Sequence, residues 1–176
     1  MTFKTGRAFH TDPEELGELS DERSDVVIIG GMGSENDQIS LASAYADAAV
    51  QLIESAIASG EPWRLCYPIL YLCRHALELY LKSAVPQSKP RHNLQPLVLE
   101  FEKLIRDQLG AAIPAQLRAE PLTLASIDPD GQSFRYATTN RGDMVILPGE
   151  YWVSLGDLIR LMNVVGTGVV KALDRL

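Results

Sequence analysis

Cysteine is scarce in this 176-residue chain. Its two copies, Cys66 and Cys73, stand seven apart with no second pair and no histidine at ligand spacing. That excludes a disulfide framework and a structural zinc site, and leaves buried thiols in a reducing compartment as the expectation. Long apolar runs are missing as well. No stretch of about 18 uncharged apolar residues occurs, and "MTFKTGRAFHTDPEELGEL" lacks the apolar centre of a secretion signal, so a cytoplasmic protein with no membrane segment is expected. Recognised catalytic signatures are absent too: no nucleophile elbow, no paired Cys and His, no metal-ligand triplet. No cofactor and no metal are therefore expected.

The glycines come close to one motif and miss it. In "DVVIIGGMGSEND" an apolar run leads into Gly30, Gly31 and Gly33, but Asn36 stands where a dinucleotide fingerprint needs its third glycine. No second strand follows, so the backbone cannot cradle a pyrophosphate as that motif does. A short strand ending in a flexible turn is the better reading.

Positive charge is also in deficit. The net charge is −7, and it is unevenly spread: residues 1–60 carry −8, residues 61–110 carry +2 and residues 111–176 carry −1. A protein that held nucleic acid over its whole surface would be basic, so only a local basic groove stays open. The length suits one domain with its own core. Residues 1–35 read as an acidic N-terminal arm with a short strand, and residues 36–176 as a helical domain with a hairpin insertion near 133–148.

What is present is helical periodicity. The fold class expected is mainly α, an up-and-down bundle of four to five helices with a short β-hairpin. The first helix spans about Asn36 to Ser59, with Ser34 and Asp37 resembling a capping box and Ile39, Ala42, Ala46, Ala49, Ile53, Ala56 and Ile57 as its buried stripe. Gly60 and Pro62 separate it from a second helix running to about Val85, the most buried of the set. Asn93 caps a third helix that Gly110 ends, and Pro121 should kink or divide a fourth. "DPDGQ" is a turn; "SFRYAT" and "DMVILP" then flank "TNRG" as a hairpin, and Ser154 caps the last helix.

The candidate polar groove comprises Arg74, His75, Glu78, Lys82, His92, Arg135 and Tyr136. Arg74, Glu78 and Lys82 lie four apart on the second helix and form one outward line, with His75 beside it. Such a line can be a solvated helix face stabilised by its own ion pairs. It can also face a groove in which Arg74 and Lys82 attract an anion and His75 acts near neutral pH. His92 meets this line if the second and third helices pack side by side. Arg135, between two aromatic residues, either anchors its segment by stacking or binds an anionic ligand. Asp128 and Asp130 read as turn formers rather than metal ligands.

The pattern "RHALELYLKSAV" followed by "RHNLQPLV" resembles HEPN domains, through Ala76, Glu78, Leu81, Lys82, His92, Asn93 and Leu94. "DPDGQSFRYATTNRG" resembles a Phe-Arg-Tyr segment of some HEPN-like proteins. The resemblance spans about Asn36 to Leu109 and more loosely the last helix. It implies a small dimeric helical bundle of a kind common in prokaryotic defence and toxin–antitoxin systems. HEPN ribonucleases carry an Arg separated from a His by four to six residues. The three histidines here have no Arg at that offset: Phe3, Lys4 and Thr5 precede His10, Pro68, Ile69 and Leu70 precede His75, and Val85, Pro86 and Gln87 precede His92. The expectation is a non-catalytic homodimeric module that binds a nucleotide, RNA or a protein partner. The alternative is a divergent metal-independent ribonuclease using His75 or His92 with Arg74 or Arg135.

Overall fold

The computed structural model describes residues 37–85, 92–136, 144, 147 and 149–176. By contact the chain divides into Met1–Glu35 and Asn36–Leu176; the expected arm, its strand and Ser34 lie outside the described residues. Five helices follow in order: α1 Gln38–Ser59, α2 Cys66–Ala84 led in by a 3-10 turn at Pro62–Leu65, α3 Leu94–Leu109, α4 Ala115–Ile127 and α5 Leu155–Leu173.

Three of the helices begin on a capping side chain and two end on a left-handed glycine. Asp37 opens α1 by accepting from the amides of Ile39 and Ser40, which takes up donors the first turn leaves free. Asn93 and Ser154 do the same for α3 and α5. Gly60 and Gly110 close α1 and α3 in the left-handed conformation that lacks a Cβ penalty only for glycine. Pro121 leaves α4 undivided, contrary to expectation: the helix runs continuously through it, and the proline ring is buried.

The α1 stripe of Ala42, Ala46, Ala49, Ile53 and Ala56 is fully packed, whereas Ile57 is exposed. Alanine allows close approach, and α2 takes the space: it makes the most extensive contact with α1, packs on α5, and carries α3 on another side. The order of contacts shows α1 and α2 to be antiparallel, since Ser43 meets Tyr80 and Tyr45 meets His75. Among the described residues no strand forms. Ser133–Arg135 is a turn, with the amides of Arg135 and Tyr136 both donating to the Gln132 carbonyl at 3.0 and 3.1 Å. The first arm of the expected hairpin is thus not extended, because its amides close a local turn, and most of the second arm lies outside the described residues. No described helix is long and apolar enough to cross a membrane.

Candidate functional site

The charged line of α2 points inward, not outward. Arg74 is 4% exposed and Glu78 3%, and they are joined by Asp128, 1% exposed, from the turn after α4. Buried charges persist only where they are paired and bonded, and every nitrogen of the guanidinium has an acceptor. Nη1 donates to Glu78 Oε2 at 3.2 Å, Nη2 to the His92 carbonyl at 2.6 Å and Nε to the Asp128 carbonyl at 3.2 Å. Asp128 Oδ2 also lies 3.0 Å from Nε. That is an ion-pair contact only, because the N–H is directed at the carbonyl and Oδ2 accepts no hydrogen bond. Asp128 Oδ1 accepts from the Ser133 amide at 2.8 Å, which folds the 128–136 turn back on itself.

Glu78 is the second hub. Its Oε1 accepts from Lys82 Nζ at 2.6 Å and faces His92 Nδ1 at 3.0 Å. Burial raises its pKa, but the hydrogen bonds and charges of Lys82 and His92 outweigh burial and hold the carboxyl below its ordinary value. His92 is exposed, so it closes the network from the solvent side. Gly131 completes the enclosure. Its φ is +76°, and a Cβ there would lie 2.7 Å from Arg74 Nη1, so both backbone and space require glycine.

A second group lies on the outer side of the same turn. Arg135 donates from Nε to the Gly131 carbonyl at 2.8 Å and lays its guanidinium over two rings, 5.7 Å from the centre of Tyr71 and 5.1 Å from that of Tyr136. Tyr71 stacks on His75 at 5.8 Å, and Tyr45 of α1 meets the same imidazole edge-on at 4.4 Å. Burial lowers the His75 pKa below its ordinary value; Glu78 raises it and Lys82, Arg135 and Arg74 lower it further. Nearby, Tyr67 packs edge-on against buried Phe134 at 6.0 Å.

The seven sequence candidates therefore fall into two groups. Arg74, Glu78, Lys82 and His92 form the interior network, and His75, Arg135 and Tyr136 form the outer face. One turn links them, bound to Arg74 on its inside and carrying Arg135 on its outside. Arg74 faces no groove: its guanidinium is enclosed by protein acceptors. Sequence reasoning missed Asp128 as a partner of Arg74, the reason for Gly131, and Tyr45 and Tyr71 as neighbours of His75. Only "DPDGQ" hinted at the first two, since an acid followed three residues later by a glycine marks a tight turn. Among the described residues no three His, Cys, Asp or Glu side chains gather to hold a metal ion. Cys73 is buried with its thiol pKa pushed up to about 12, and burial also raises that of Cys66. Comparison with protein-family models, with curated proteins and with solved structures returned no match.

Proposed function

We propose that this chain is a non-catalytic, HEPN-like nucleotide- or nucleic-acid-binding module, an up-and-down homodimeric bundle working in the cytoplasm of a prokaryotic defence or toxin–antitoxin system. The observation that carries the reading is the Arg135 guanidinium laid across Tyr71 and Tyr136 beside His75. The exposed Tyr136 ring next to an unburied guanidinium offers a base a stacking surface and a phosphate a bidentate partner. Arg74 supports the non-catalytic part, because a buried arginine whose three nitrogens are each bonded within the protein is out of reach of a scissile phosphate.

Calorimetric titration with AMP and UMP tests this. Binding that Arg135→Ala or Tyr136→Ala weakens at least about tenfold is expected, since one stacked base is worth roughly 1–3 kcal/mol. A sedimentation mass twice that of the chain is expected for the dimer. The ribonuclease alternative has His75 and Arg135 on one face in its favour. RNA cleavage by the parent protein that His75→Ala abolishes would establish it in place of the binding reading.

A further inference from the structure

A cleft of about 380 Å³ opens between α1 and α5, with Tyr80 of α2 at its base. Its walls follow the helical period: Ser43, Asp47 and Val50 succeed one another on α1, and Asn163, Thr167 and Lys171 stand four apart on α5. Tyr80 is 4% exposed, and its hydroxyl donates to Ser43 Oγ at 3.1 Å, which leaves the serine's own proton for an acceptor in the cleft. Gly166 keeps that hydroxyl uncovered, since a Cβ there would lie 2.7 Å from it. Asp47 and Lys171 are exposed, and among the described residues neither has a hydrogen-bond or ion-pair partner. Elsewhere on the surface opposite charges do pair, as Arg64 does with Glu61 and Arg118 with Glu102. Here a carboxylate and an ammonium line one cleft without meeting.

We propose that this cleft binds a free α-amino acid with an apolar side chain. Asp47 takes the ammonium, Lys171 and the Ser43 hydroxyl take the carboxylate, and the side chain rests on Val50 and Val170. Charge decides the class of ligand. A phosphate would meet the Asp47 carboxylate and a polyamine the Lys171 ammonium, and a like charge brought alongside is costly. A zwitterion matches both. Size decides as well, because ligand clefts run from roughly 300 to 1,000 Å³ and this one is at the small end. Val170 is 40% exposed and Val50 half-buried, so an apolar side chain laid on them removes apolar surface from water. The cleft shares no residue with the Arg135 face, and the inference goes beyond the nucleotide-binding reading without resting on it.

Calorimetric titration of the full chain with L-leucine tests this, beside isocaproate, which lacks the ammonium, isoamylamine, which lacks the carboxylate, and glycine, which lacks the side chain. Leucine is expected to bind, and each of the other three at least about tenfold more weakly. Asp47→Asn and Lys171→Gln are each expected to weaken leucine about tenfold. Both side chains are exposed, so the fold should survive, and circular dichroism of each variant checks that. In Asp47→Asn the preference for leucine over isocaproate should vanish, a result that a merely structural effect would not give. No saturable heat with leucine up to about 10 mM would overturn the proposal. So would any of the three analogues binding as tightly as leucine, or leucine keeping its affinity in both variants. A dimer that Val170→Glu dissociates, with no leucine binding, would give the cleft to a second copy of the chain instead. AMP binding at the Arg135 face is a separate measurement, so either site can fail while the other stands.

Discussion

Replacing Arg74 by methionine is the sharpest probe of how the 128–136 turn is held to α2. Methionine retains most of the stem but removes the group that bonds to Glu78, Asp128 and the His92 carbonyl. Glu78 keeps Lys82 and His92 as partners. Asp128 keeps only the Ser133 amide, so it becomes a buried carboxylate without a counter-charge. Removing one partner of a buried pair costs about 3–5 kcal/mol. For a domain of this size that is a fall in Tm of roughly 6–20 °C. The assay is thermal unfolding followed by circular dichroism. Adding Asp128→Asn should recover part of the loss, since the uncompensated charge is then gone, and the two substitutions should be non-additive by about 0.5–3 kcal/mol. A drop in Tm of under about 3 °C for Arg74→Met, or strict additivity with Asp128→Asn, would refute the view that this guanidinium pins the turn.

Gly131→Ala should destabilise by about 1–3 kcal/mol in chemical denaturation, because it combines a left-handed φ with a clash on Arg74 Nη1; in an Arg74→Met background only the backbone part of the loss should remain, and an unchanged loss there would count against the clash. Gly166→Ala on α5 would place its Cβ 2.7 Å from the hydroxyl of buried Tyr80. It should therefore lower Tm in the parent protein despite alanine's better helix propensity, and become neutral or stabilising once Tyr80→Phe removes the hydroxyl; a higher Tm in the parent protein would refute the contact. Acidification should lower the stability of the domain in two steps. His75 is held below its ordinary 6.5 in the folded state, so the stability it lends is complete above 6.5 and is lost as pH falls through its folded value. Glu78, held below 4.5, adds a second loss only as pH falls beneath that. Tm profiles from pH 8 to 4 check both, and a His75→Gln profile that overlays the parent curve between pH 7 and 5 would remove the first stage.

The helices and their ends were legible because their signals are local. Asn93, Gly110 and Ser154 cap where their side chains or their lack of one dictates, and Ala42, Ala46 and Ala49 repeat at the helical period. Asp37 rather than Ser34 opens α1, an error of one choice within a polar run. The misread features depend on distant partners. Arg74, Glu78 and Lys82 spaced by four look the same whether they face water or protein. What decides is Asp128, 54 residues beyond Arg74, brought in by α3 and α4. "SFRYAT" has the composition of a strand, yet Asp128 Oδ1 and the Gln132 carbonyl capture the amides of Ser133, Arg135 and Tyr136 first. His75 and Arg135 belong to one face for a similar reason: the turn bound by Arg74 carries Arg135 back over Tyr71.

Two rows of equal period run along α2 with their usual roles exchanged. The charged residues Arg74 and Glu78 are buried, whereas the aromatic row begins with exposed Trp63 and Tyr67 and becomes half-buried at Tyr71 and His75. Neither arrangement is what stability alone selects. A buried ion network is commonly no more stabilising than apolar side chains of the same size, and leaving large apolar side chains in water forgoes about 1.5–3 kcal/mol each. Local choices that work against the fold concentrate where a sequence serves something besides folding. Here the two departures support one another. The interior charges fix a turn whose outer surface carries Arg135 over Tyr71 and Tyr136 and whose buried Phe134 packs against exposed Tyr67. Replacing Trp63 by a polar residue should leave Tm unchanged and improve solubility, whereas replacing Tyr67 removes an edge-on contact with buried Phe134 and should lower Tm slightly. Equal Tm values for the two variants would refute the view that Tyr67 helps the buried network hold the turn.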